Sequence, residues 1–169
     1  MKRRKQSRIG VFIDAANLEL SAKDRRFKVD YKKLYKWIGE FGCIEYAGFF
    51  TVRFDNKKHD KFLTLLKKIG YKLITKKLKH IRDKNKGHLR KANFDVEIAV
   101  EAIKRINSYD VFILFSGDSD FDYLLKEAKA QSKETIVVSM RYHVSRELVD
   151  RAEKYIDLRK IKTLIERKP

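Results

Sequence analysis

Asp14 closes the short apolar run Ile9-Gly10-Val11-Phe12-Ile13, and Asn17 follows about one helical turn later. The segment Ser116-Gly117-Asp118-Ser119-Asp120-Phe121-Asp122 closes a second apolar run, Val111 to Phe115, and Asp95 stands upstream of that run. Carboxylates crowded together repel and raise one another's pKa unless a cation sits among them. Oxygen donors with no accompanying thiol favour Mg²⁺ or Mn²⁺ over zinc. Such a centre can activate water and stabilise the charge of an in-line displacement at phosphorus. Asp14, Asp118 and Asp120 are the candidate cation ligands and catalytic residues, with Asp95 completing the set.

Each carboxylate also has a plainer use. Asp118, Ser119 and Asp122 can cap a helix and complement its dipole, and Asp95 can do so for its own helix. Glu101 lies four residues after Glu97 and four before Arg105, the spacing of a solvated ion-pair face. The coincidence of Asp14 with the Asp118/Asp120 pair, both at apolar strand ends, favours a metal site. Other acidic motifs fit less well. Asp118-x-Asp120-x-Asp122 begins like an EF-hand loop, but Tyr123 occupies the required glycine position and Lys129 the bidentate glutamate position. A Toprim pattern wants glutamate where Asp14 stands, and a haloacid-dehalogenase pattern wants aspartate at Ala16. No glycine-rich phosphate loop is present.

The elements that must position these residues follow from periodicity. Ile9 to Ile13, residues 43–54, Tyr71 to Thr75, Val111 to Phe115, Thr135 to Ser139 and Tyr155 to Leu158 are predicted strands. Asp30 is predicted to cap a helix ending near Gly42, and Asn56 one stopped by Gly70. Asn93 is predicted to cap a helix with Val96, Ala99, Val100, Ile103 and Ile106 inward. A further helix spans about Ser119 to Ala130, and Ser145 caps the last. Trp37, Phe49, Phe50 and Phe54 are expected in the core, and Cys43 as a buried small hydrophobe. Alternating strands and helices predict an α/β fold, a three-layer α/β/α sandwich with a mostly parallel central sheet. In such sheets ligands bind beyond the carboxyl ends of the strands.

Ile13-Asp14-Ala15-Ala16-Asn17, Phe94-Asp95-Val96 and Ser116-Gly117-Asp118-Ser119-Asp120-Phe121, in that order, resemble the NYN domain in its LabA-like branch. Ser145, Leu148, Ala152 and Tyr155-Ile156-Asp157 resemble the branch's closing segment. That family lies in the PIN-like superfamily, which implies a Rossmannoid sandwich and metal-dependent ribonuclease activity. By position, the resemblance implies that Asp14, Asp95, Asp118 and Asp120 bind metal, with Asn17 and Ser116 supporting. Glu101 stands where the branch often has a second aspartate, and Asp122 is an additional acidic neighbour of the set.

The chain has 169 residues, 41 Lys+Arg against 23 Asp+Glu, and a formal net charge of +18. With 43% hydrophobic residues it can bury a core, which excludes simple disorder. The single cysteine excludes an internal disulfide and a multi-cysteine zinc site. No apolar run reaches the roughly 20 residues of a membrane span. Lys2-Arg3-Arg4-Lys5 is not followed by the apolar region of a secretory signal, so a cytoplasmic location is expected.

The charge is unevenly placed. Residues 2–8 carry five positive charges and no negative one, and residues 72–91 carry nine Lys or Arg against Asp83 alone. Residues 159–168 carry five against Glu166, whereas 92–158 hold nine positive and thirteen negative charges. The expected organisation is a basic tail over 1–8, one domain over 9–158 and a basic tail over 159–169. Within the domain, a basic loop at about 76–92 carries Lys76, Lys77, Lys79, Arg82, Lys84, Lys86, Arg90 and Lys91. Beside a carboxylate centre it would hold the phosphate backbone of RNA, with little sequence preference and strong salt dependence. No aromatic lies among these cations, so base stacking is not expected there. The expected function is a Mg²⁺- or Mn²⁺-dependent endoribonuclease. The alternative is an RNA-binding adaptor that keeps the fold without turnover. No membrane partner is expected, and a homodimer is left open.

Overall fold

The computed structural model describes residues 6–77 and 93–168. Six parallel strands form one sheet in the order β3-β2-β1-β4-β5-β6. They are β1 (Arg8–Asp14), β2 (Cys43–Arg53), β3 (Lys72–Lys77), β4 (Val111–Phe115), β5 (Glu134–Ser139) and β6 (Lys154–Asp157). The helices are α1 (Ala15–Asp24), α2 (Tyr31–Ile38), α3 (Lys57–Ile69), α4 (Asp95–Lys104), α5 (Asp122–Ala130), α6 (Arg146–Arg151) and α7 (Leu158–Ile165). This is the expected α/β/α sandwich.

Parallel strands buried on both faces need apolar residues at nearly every position, and the central strands supply them. Along β1, Ile9, Val11 and Ile13 face the layer of α1, α2, α3 and α7, while Phe12 faces α4, α5 and α6. Along β4, Ile113 and Phe115 join the first core, and Phe112 and Leu114 the second. Phe12 stacks on Phe112 with ring centroids 5.2 Å apart and meets Tyr46 at 5.3 Å.

β1 and β4 are adjacent central strands. The chain leaves β1 into α1 on one face of the sheet and leaves β4 into α5 on the other. Their carboxyl ends therefore flank a crevice, the topological switch point where α/β sheets bind ligands.

Several expectations are corrected. Helix α1 has no counterpart among the predicted elements. Ile98 and Ala102 are the buried residues of α4, whereas Val96, at 72% exposure, Val100 and Ile103 lie outside. The inward stripe continues from Phe94 at four-residue spacing, and of the predicted residues Ala99 and Ile106 pack against the second core, partly buried. Residues expected as a basic C-terminal tail form α7, whose Leu158, Ile161 and Ile165 are buried against the first core. Asp157 caps α7 through the Arg159 amide at 3.0 Å. Phe54 is exposed beyond the end of β2, and Cys43 is exposed at its start. The segment predicted as helix from Ser119 opens with a 3-10 turn, Ser119–Phe121, before α5.

Candidate metal centre

Asp95, Asp118 and Asp120 each place a carboxylate oxygen within 4.8 Å of the other two. Their convergence follows from topology. β4 delivers Asp118 to the carboxyl edge of the sheet, and the 3-10 turn after it carries Asp120. Helix α4 runs back from that same edge, so its first residue, Asp95, meets them there. Local hydrogen bonds hold the backbone: the Asp118 amide donates to Ser116 Oγ at 3.3 Å, and the Asp120 amide to Asp118 Oδ1 at 3.1 Å. Asn93 Oδ1 accepts from the Asp95 amide at 2.7 Å, fixing the start of α4.

Asp14 stands outside this compact trio. Its Oδ1 caps α1, accepting from the Ala16 and Asn17 amides at 3.1 and 3.3 Å. Burial pushes its carboxyl above the usual range, and the charges of Asp95 and Asp118 push it further, against the lowering effect of the capping bonds. Asp95 is likewise raised, by burial first and then by Asp118 and Asp120, although Asn93 and Lys76 oppose the shift. Anionic groups gathered at such a cost are what a divalent cation relieves. An all-carboxylate donor set fits a hard cation that takes oxygen ligands.

The remaining predicted residues divide clearly. Ser116 is fully buried beneath Asp118, and Asn17 Oδ1 accepts from Ser139 Oγ at 3.4 Å, which links α1 to β5. Glu101 is engaged elsewhere: its Oε2 accepts from Tyr46 Oη at 3.1 Å and pairs with Arg105 at 2.5 Å. Asp122 pairs with Arg151, which ties α5 to α6. Lys76 Nζ donates to Asn93 O at 2.6 Å and pairs with Glu97 Oε1 at 2.7 Å. Lys77 is exposed at the end of β3. Lys79, Arg82, Lys84, Lys86, Arg90 and Lys91 lie outside the described residues.

Two groups near the centre carry no sequence motif. Glu97 supports Lys76, and its Oε2 is buried with no hydrogen-bond partner among the described residues. His143, in the β5–α6 turn, pairs through Nε2 with Asp24 Oδ2 at 2.8 Å and lies 3.3 Å through Nδ1 from Ser21 Oγ. Ser21 and Asp24 lie three apart on α1, a spacing that shares a helix face. That signal is readable only once α1 is recognised.

The turn carrying His143 presses directly on the centre. A Cβ on Gly117 would stand 2.0 Å from His143 O, and the Ser145 amide donates to Gly117 O at 2.9 Å. Only glycine fits between Ser116 and Asp118.

The NYN domain model matches residues 8–159. The chain belongs to the NYN domain family. It is also 30% identical over 165 residues to the low amplitude and bright protein LabA of Synechococcus elongatus, covering 95% of this chain and 89% of LabA. A crystal structure of a protein of unknown function, VPA0982, from Vibrio parahaemolyticus superposes with a TM-score of 0.84 at 22% identity. The match covers 99% of this chain and 100% of that one, and it shows the shared fold. NYN domains belong to the PIN-like nuclease superfamily, and this member carries a carboxylate cluster at the sheet's carboxyl edge. No helix among the described residues is long and apolar enough to cross a membrane.

Proposed function

We propose that this NYN protein is a divalent-metal-dependent endoribonuclease. The observation that carries the proposal is the convergence of Asp95, Asp118 and Asp120 at the switch point of the sheet. These three would hold Mg²⁺ or Mn²⁺, with Asp14 as the fourth carboxylate of the catalytic set. A bound cation of this kind supplies Lewis acidity at the phosphodiester and lowers the cost of deprotonating water.

The chain's own residues do the positioning. Ser116 and Gly117 set the backbone that aims Asp118, and Asn93 sets that of Asp95. Asp14 caps α1 through Oδ1, and its other oxygen would be available to the cation or to a proton. Lys76, held by Asn93 O and Glu97, closes the two ends of the basic segment beside Asp95. The cations Lys79, Arg82, Lys84, Lys86, Arg90 and Lys91, which lie between Lys76 and Asn93 in the sequence, would hold the RNA backbone.

The test is cleavage of labelled RNA with Mg²⁺, Mn²⁺ or EDTA. Wild type should cleave only with a divalent cation, and Asp118→Asn should lose at least about tenfold in rate. Cleavage that persists equally in EDTA or in Asp118→Asn overturns the proposal. Binding without cleavage under every condition replaces it with the adaptor reading.

A further inference from the structure

Stacking a base requires an aromatic face open to solvent, with cations nearby for the adjoining phosphates. The basic run contains no such residue. The turn between β5 and α6 does. Tyr142 is 72% exposed, Arg141 precedes it, and the guanidinium carbons of Arg25 and Arg159 lie 5.9 and 5.7 Å from its ring centroid. Both guanidinium groups lie over the ring near the outer limit of cation–π contact, and its exposure leaves most of the side chain open to solvent.

A single exposed aromatic is ordinary on a protein surface. This one sits on a pinned turn. The His143 and Val144 amides donate to Met140 O at 2.9 and 3.0 Å, and Arg25 Nε reaches Met140 Sδ at 3.4 Å. The Asp24–His143 pair and Ser21 anchor the same turn to α1. Arg159 is itself fixed, with Nε and Nη2 on Asp157 Oδ2 at 2.8 and 2.6 Å. A preset turn leaves only the side chain of Tyr142 to be ordered on binding, which lowers the entropy lost. The turn also abuts the metal centre, because Ser145 bonds to Gly117 and Gly117 precedes Asp118.

We infer that Tyr142 is a stacking platform for an unpaired RNA base, with Arg25 and Arg141 at the flanking phosphates. A base inside a duplex has both faces covered by its neighbours, so this platform selects single-stranded RNA for the centre next to it. What the bound strand is for rests on the ribonuclease reading; the stacking itself does not.

The experiment separates the two. Full-length protein bearing Asp118→Asn, in EDTA, is titrated into single-stranded RNA carrying 2-aminopurine, whose fluorescence falls when the base stacks. The expected result is quenching that disappears on adding Tyr142→Ala. That change should also weaken single-strand binding by roughly 5- to 100-fold. Tyr142→Trp should restore both, and affinity for duplex RNA of equal length should not change. Unaltered quenching and affinity in Tyr142→Ala overturns the inference, as does an equal loss for single strand and duplex. Because nothing is cleaved in this assay, a wild-type protein without ribonuclease activity would remove the functional reading and leave the platform standing.

Discussion

Asp95 shows what gathering the carboxylates costs the fold. Its carboxyl is raised by burial and by Asp118 and Asp120, so the folded protein holds that proton more tightly than the unfolded chain does. The contribution is therefore most favourable below the ordinary aspartate pKa and is lost as pH rises through the raised value. Asp14 behaves in the same way, with burial again the leading cause. Asp95→Asn should accordingly melt higher than wild type in EDTA near neutral pH, and the advantage should shrink as the pH falls below the aspartate range. Added Mg²⁺ should raise the wild-type melting temperature and leave the variant nearly unmoved. Thermal melts across pH, with and without metal, check the sign. A variant less stable than wild type in EDTA at neutral pH would show that the carboxylate does not carry this strain. At single positions the sequence singled out Asp95, Asp118 and Asp120, which the structure gathers, and also Asp14, which stands outside their trio. The four-residue spacing of Glu101 and Arg105 also announced their ion pair, whereas Tyr46, the second partner of Glu101, and Arg151, the partner of Asp122, come from other elements and left no local signal.

Helices α4 and α7 mark the limit of pattern reading at the next scale. Each carries apolar residues at helical spacing. In α4 two overlapping stripes are possible, one through Ile98 and Ala102 and one through Val96, Val100 and Ile103. The sheet takes the first, because Phe94 and Asp95 fix the helix's rotation where it starts. In α7 Arg159, Lys160 and Lys162 give the segment its basic character, yet Ile161 and Ile165 close the core against α2. The two corrections are testable together. Ile165→Ala, at a fully buried site, should cost about 2–5 kcal/mol in denaturant unfolding. Val96→Ala, on the exposed side of α4, should stay within about 0.5 kcal/mol. A dispensable Ile165 would return residues 159–169 to the status of a tail.

Across the whole molecule, the net charge of +18 resolves into basic segments around an acidic interval that holds Asp95, Asp118 and Asp120. Affinity for a polyanion measured against salt reports on the basic part. Replacing Lys79, Arg82, Lys84, Lys86, Arg90 and Lys91 by glutamine should weaken RNA binding. It should also flatten the plot of log affinity against log salt by about 0.7 for each phosphate that is no longer neutralised. The Tyr142→Ala change should weaken single-strand binding with the slope preserved, because stacking releases no counterions. Fluorescence anisotropy at several salt concentrations distinguishes them. An unchanged slope in the glutamine variant would remove the basic segment from the RNA interface.

Strand positions, the α/β/α class and the order of the three NYN motifs could be read from the chain, since buried parallel strands impose apolar runs and the motif residues punctuate them. The strand order could not be read that way, and it is what sets β1 beside β4 and brings the three carboxylates to one edge. Packing likewise chose which stripe of α4 faces inward, drew α7 into the core and set Tyr142 beside Arg25 and Arg159. Those residues are distant in sequence. Local preference carries no information about contacts made only when separate elements pack against one another.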